Sequence, residues 1–135
     1  MSGIVIDCSV AAAWLLGEDD AAESLIASGA SDGFHVPALW HLELANVLLV
    51  ALRRKRLTVA EAREAERLAM ALPVVTDQTQ PVLGNLFALG REYGLTAYDA
   101  AYLELALRRH LPLATFDTAL ARAARKAGVR PTEGV

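Results

Sequence analysis

Short apolar runs rich in branched side chains alternate along this chain with longer stretches of helical spacing. Ile4-Val5-Ile6, Phe34-His35-Val36, Pro73-Val74-Val75 and Pro112-Leu113-Ala114-Thr115 are too short for helices and lack the in-out alternation of a half-exposed strand. That pattern is the signature of parallel strands covered by helices on both faces. The intervening segments predict helices near 11–16, 20–28, 37–54, 58–72 and 81–94, another starting behind Thr96, and a last one between Asp117 and Gly128. Several boundaries carry their own chemistry. Ser9 is a candidate N-cap for the first helix, and Thr58-Val59-Ala60-Glu61 has the form of a capping box. Thr96 and Asp99 resemble a second capping box, and Gly94 and Gly128 supply stops. Val129-Arg130 is a candidate fifth strand. The whole reads as one doubly wound α/β domain over residues 1–135.

Length and composition sharpen this reading. A chain of 135 residues fits one ordinary core, burying roughly two thirds of its unfolded surface. Its longest apolar stretch, Val47 to Leu52, is far below the ~18 residues needed to cross a bilayer. Met1 to Asp7 shows no basic segment followed by an apolar one, so a cytoplasmic location without membrane contact is expected. The single cysteine, Cys8, excludes an internal disulfide framework and a multi-cysteine zinc site, and it reads as a small packed side chain. A formal net charge of −3 supplies no global attraction for a polyanion. Any nucleic-acid binding must rest on local basic patches or bound cations.

The chemistry concentrates in four acids. Parallel α/β sheets bind ligands outside the carboxyl ends of their strands. Asp7 follows the first strand, Asp117 lies just beyond the fourth, Glu43 sits early in the helix leaving the second, and Asp99 lies in the first turn of the helix feeding the fourth. Singly, Asp7, Asp99 and Asp117 are explained equally well as helix caps or capping-box acids. Glu43 is different: Leu39, Trp40, Leu42, Leu44, Ala45, Val47, Leu48, Leu49 and Val50 make its helix apolar nearly all round, which implies burial. An ionised carboxylate there needs a compensating charge, and three more acids on the same rim demand a cation. With only oxygen donors, Mg²⁺, or Mn²⁺ in its place, is favoured over zinc. His41-Leu42-Glu43 has the H-x-E spacing of zinc deaminases, but their second, cysteine-bearing motif is absent. Asn46 shares the Glu43 helix face, and Ser9 and Thr115 flank the rim with hydroxyls suited to a phosphate or a water, and equally to capping or turn formation.

Four segments then form a set: Ile4-Val5-Ile6-Asp7-Cys8-Ser9, Trp40-His41-Leu42-Glu43-Leu44-Ala45-Asn46, Leu95-Thr96-Ala97-Tyr98-Asp99-Ala100-Ala101-Tyr102 and Leu113-Ala114-Thr115-Phe116-Asp117. In order and spacing this set resembles the PIN-domain ribonucleases, and among them the VapC toxins of toxin-antitoxin pairs, from Ile4 to about Arg130. The resemblance implies a three-layer α/β/α sandwich with a parallel sheet of four to five strands, a homodimer, Mg²⁺-dependent RNA cleavage, and inhibition by a cognate VapB-type antitoxin. It also implies that Asp7, Glu43 and Asp117 hold metal most directly, with Asp99 completing the shell. The cations then neutralise the phosphate and acidify a water for in-line attack.

Basic residues are harder to assign. Arg53-Arg54-Lys55-Arg56 is the densest run, able to grip RNA phosphates or simply to complement a helix C-terminus. Arg108, Arg109, Arg122, Arg125 and Lys126 present the same choice. Trp14, Trp40, Tyr98 and Tyr102 read as core or interface residues, while Phe116 stands near the rim. Two other readings compete with the nuclease. A phosphoacceptor receiver domain would need paired acids after the first strand and a lysine after the last; here Asp7 is followed by Cys8, and the only lysines, Lys55 and Lys126, fall in helical patterns. An inactive PIN-like binding module would have no need of intact acids.

Overall fold

In the computed structural model, which describes residues 2–130 and 132, four strands form one fully parallel sheet in the order β3-β2-β1-β4. The strands are β1 (Ile4–Ile6), β2 (Phe34–Val36), β3 (Val74–Thr76) and β4 (Leu113–Ala114). Seven helices connect them: α1 (Cys8–Leu15), α2 (Asp20–Gly29), α3 (Leu39–Arg53), α4 (Val59–Ala71), α5 (Leu83–Tyr93), α6 (Ala97–Arg109) and α7 (Thr118–Lys126). β1 is central: Val5 is in register with His35 of β2 on one side and Leu113 of β4 on the other. The chain moves leftward through β2 and β3, then crosses back over β1 to reach β4. With right-handed crossovers, α1 to α4 cover one face and α5 and α6 the other, giving three layers.

Burial explains why these tripeptides are strands. Val5, Ile6, Phe34, Val36 and Ala114 have no exposed surface, and they pack with Tyr102, Leu103 and Leu105 of α6 and Leu120 of α7. Most helix starts are fixed by side-chain caps. Thr58 and Glu61 close a reciprocal capping box, Asp19 accepts from the Ala21 N–H at 2.7 Å, and Gly94 ends α5 in the left-handed region at φ 66°. Among the described residues no helix is long and apolar enough to cross a membrane.

The structure corrects several expectations. Asp7, not Ser9, is the N-cap of α1, its carboxylate accepting from the Val10 N–H at 3.3 Å. Val129-Arg130 forms no strand; its contact with the sheet is a single hydrogen bond from the Leu113 N–H to the Arg130 carbonyl. Gly128 turns the chain at φ 84° just before this segment, and among the described residues no second ladder bond follows. Helix α5 starts at Leu83 rather than Pro81. The largest correction concerns α3. Only Trp40, Leu44 and Ala51 of this helix are buried, while Leu42 is 72% and Leu49 47% exposed. Its all-round apolar character therefore does not mean that it lies in the core.

Candidate active site

The chain leaves β1 toward β2 on one side and arrives at β4 on the other, so the carboxyl ends of β1 and β4 bound the point where strand order reverses. Asp7 follows β1 directly, and Thr115, Phe116 and Asp117 follow β4. Two hydroxyls join these segments. Ser9 Oγ donates to Asp7 Oδ1 at 2.6 Å and accepts from the Phe116 N–H at 3.0 Å. Thr115 Oγ1 donates to Asp7 Oδ2 at 2.5 Å and accepts from the Asp117 N–H at 2.9 Å. Each hydroxyl thus spends its one proton on Asp7 and takes a backbone N–H from the β4–α7 turn. Ser9 and Thr115 were expected to face a phosphate or a water; here they fix the orientation of a carboxylate.

Asp7 is only 5% exposed. Burial raises its carboxyl above the ordinary range, against the lowering pull of Ser9, Thr115 and the Val10 N–H, and the charge on Asp117 raises it further. Asp117 caps α7 through one oxygen only. Its Oδ1 accepts from the Ala119 and Leu120 N–H groups at 2.8 and 3.1 Å, leaving Oδ2 for another partner. Asp99 lies in the first turn of α6 behind Thr96, which accepts its N–H at 3.2 Å. The return bond that completes a capping box at Glu61 is not seen at Asp99, so its carboxylate is not consumed by the backbone. Burial raises the Asp99 carboxyl, followed by the charges of Asp117, Asp7 and Glu43. Asp99 therefore lies within the field of the other three acids.

Glu43 is partly buried on α3 and is held from across the site: the Tyr102 hydroxyl donates to Glu43 Oε1 at 2.5 Å. Burial raises the Tyr102 phenol, and its bond to Glu43 raises it further, so the proton stays on the phenol. Tyr102 was assigned to core or interface packing; it is buried as expected, and it also orients Glu43. The signal available in sequence was its position three residues after Asp99, on the same helix face. Asn46 is exposed, and among the described residues no hydrogen bond ties it to Glu43. Cys8 is pushed up to about 12 by burial, with Glu43 and Asp7 adding to the shift, and so remains a thiol. His41 bonds to Thr76 Oγ1 at 2.8 Å, away from any deaminase-like arrangement with Glu43.

Among the described residues, no arginine or lysine pairs with Asp7, Glu43, Asp99 or Asp117. Nor, among the described residues, do three or more histidine, cysteine or acidic side chains stand close enough together to hold a metal ion as they are placed. The donor set is nonetheless one a hard cation fits: oxygen ligands alone, two carboxyls raised by burial and mutual repulsion, and one Asp117 oxygen unused by its helix.

This fold, with acids at the reversal point of a parallel sheet, defines a class. The family model described as PIN domain matches residues 4–126, and the chain belongs to the PIN-domain family. It is similar to a VapC ribonuclease of Mycobacterium bovis and to ribonuclease VapC9 of Mycobacterium tuberculosis, each 36% identical over 118 residues covering 87% of both chains. It is 34% identical to ribonuclease VapC3 of Pyrobaculum aerophilum over 87% of this chain and 92% of the other. Solved structures share the fold. A Pyrobaculum aerophilum protein superposes with a TM-score of 0.70 at 24% identity, covering 90% of this chain and 78% of that one. Mycobacterium tuberculosis VapC20, described as a sarcin-ricin loop cleaving toxin, gives 0.64 at 16%, covering 96% and 98%. A toxin-antitoxin complex from Klebsiella pneumoniae gives 0.62 at 18%, covering 87% and 88%.

Proposed function

We propose that this protein is a Mg²⁺-dependent endoribonuclease acting as the toxin of a toxin-antitoxin pair, with residues 1–135 as one nuclease domain. The observation that carries the reading is the set of four acids at the β1–β4 edge with no cation of the protein's own beside them. Relatives bearing the name ribonuclease over most of the chain supply the substrate class. Asp7, Glu43 and Asp117 would hold Mg²⁺, or Mn²⁺ in its place, and Asp99 would complete the shell. Bound there, the ion would neutralise the scissile phosphate and acidify a water for in-line attack. Ser9 and Thr115 keep Asp7 in one orientation through their hydroxyl bridges, and Tyr102 does the same for Glu43. Like charges keep the carboxylates apart until a cation lies among them.

The expected products carry 5′-phosphate and 3′-hydroxyl ends, because water rather than the ribose hydroxyl attacks. The neighbour solved as a toxin-antitoxin complex supports a VapB-type antitoxin as partner. Exposed apolar side chains on α3 and α5, including Leu42, Leu49, Val82, Leu83 and Phe87, favour a homodimer. The reading places the protein in the cytoplasm, where its RNA is. The test is incubation of purified, antitoxin-free protein with total cellular RNA and Mg²⁺, mapping product ends, with Asp7→Asn alongside. Metal-dependent cuts absent from the variant support the proposal. Intact RNA in every pool defeats it and favours a binding module.

A further inference from the structure

The α3–α4 turn carries the densest basic run of the chain, Arg53 to Arg56, at the end of the helix that bears Glu43. α1 starts at its cap Asp7, and α3 carries Glu43 in its second turn; the two helices pack against each other. Their far ends are tied by an ion pair, Arg56 to Glu18, at 2.7 Å. Arg53 lies about ten residues beyond Glu43, so the turn stands ~15 Å along the helix axis from the acids. That distance corresponds to about four phosphates of a stacked strand, fewer if it is extended.

The turn also projects past the sheet. α4 leads from it to Pro73, whose carbonyl accepts from the Phe34 N–H at the amino edge of β2. α4 has thirteen residues and the strands at most three, so a helix of ~20 Å returns the chain to the foot of a sheet only ~10 Å tall. On α7, Arg125 and Lys126 lie near the opposite edge, since the helix ends where Arg130 meets the start of β4, while Arg122 stands only five residues beyond Asp117. Arg108 and Arg109 are engaged by Asp77.

Two features set the turn apart from an ordinary helix end. Arg53, Arg54 and Lys55 are exposed and, among the described residues, make no ion pair. Lys55 has φ 58° at a helix-ending position where glycine is the residue without steric cost. A cation is kept there against the preference of the backbone.

We propose that Arg53, Arg54 and Lys55 form a phosphate-binding site for single-stranded RNA, a few nucleotides from the cleaved bond, with Arg56 pinned by Glu18 to hold the turn in place. This rests on the ribonuclease reading. The test compares the wild type with Arg53→Ala/Arg54→Ala/Lys55→Gly on a strand of about 12 nucleotides and on a trinucleotide. Expected are a roughly tenfold fall in kcat/KM on the longer strand, a much smaller fall on the trinucleotide, and a salt slope shallower by about two, at ~0.7 per lost contact. Lys55→Gly alone separates the roles: it is expected to raise Tm by ~1–3 °C while weakening RNA binding. A higher Tm with unchanged RNA affinity overturns the proposal in favour of a plain helix terminus. Lost affinity for polyglutamate with RNA affinity unchanged overturns it in favour of an acidic protein partner. If the wild type cleaves neither RNA, the ribonuclease reading itself fails. If it cleaves both and the triple variant matches it in rate and salt slope, only the phosphate site fails.

Discussion

Asp7 and Asp77 are both aspartates with little-exposed side chains directly following a parallel strand, on the same edge of the same sheet. Their surroundings differ in one respect. Asp77, its side chain 6% exposed, is paired with Arg108 at 2.5 Å and Arg109 at 3.0 Å. Burial raises its carboxyl, but the two guanidinium groups outweigh that and hold it below the ordinary range. Glu104 in turn binds Arg108, and the cluster is charge-balanced within the protein. Asp7 receives only neutral donors, so burial, with the charge on Asp117 adding to it, shifts its carboxyl the other way. Position on the strand edge therefore does not decide which way a buried acid shifts. The presence or absence of a protein cation does.

Exchanging charge for amide at the two sites sharpens that contrast most. Asp7→Asn keeps an N-cap as good as aspartate, so the fold should survive, while RNA cleavage falls by about 10³-fold or more, on the order of 4 kcal/mol. Circular dichroism with a cleavage assay checks both halves, and undiminished cleavage removes Asp7 from the metal site. Asp77→Asn should do the reverse: about 1–3 kcal/mol of stability lost, because two partly exposed arginines are left without their carboxylate, with cleavage by the folded fraction retained. Denaturant titration measures the loss, and a stable but inactive variant breaks the comparison.

The pH dependence carries opposite signs at the two places. Asp77 has a depressed carboxyl, so it contributes stability at neutral pH that is lost as pH falls below its ordinary value and through the folded one. Asp99 is raised by burial and by three acids, so in metal-free protein it opposes folding, increasingly as pH rises through its folded value. Asp99→Asn should therefore raise the metal-free Tm at pH 7 by a few degrees, about 1 kcal/mol, and reduce the gain on adding Mg²⁺. A lower metal-free Tm in this variant contradicts the repulsion. The smallest effect expected is at Tyr102→Phe. Losing the bond to Glu43 should cut kcat by about tenfold, the low end for outer partners of metal ligands, with a weaker apparent Mg²⁺ affinity. Unchanged metal dependence would leave Tyr102 a packing residue.

Local chemistry made much of this legible in sequence. The four strands and most of the helix caps follow from neighbouring residues, and Asp7, Glu43, Asp99 and Asp117 were picked out by distance from strand ends. Side-chain pairing was not legible in the same way. Ser9 and Thr115 looked like phosphate or water contacts, or like cap and turn residues, because their shared partner depends on β1 and β4 lying side by side, with 108 residues separating Asp7 from Thr115. α3 was read as buried because apolar spacing records that a surface avoids water without recording what covers it. Asp77 satisfied the strand-edge criterion as well as Asp117 did, and only the fold reveals that Arg108 and Arg109 reach it.

Helix α5 carries a separate consequence. It has no buried residue, and it leans on α6 while Val82, Leu83 and Phe87 face outward, Leu83 82% exposed. A segment with so little interior of its own opens at far less cost than the global unfolding free energy. Whatever binds its outer face protects it by mass action. Its resistance to amide exchange and proteolysis is then expected to depend on concentration as well as on sequence.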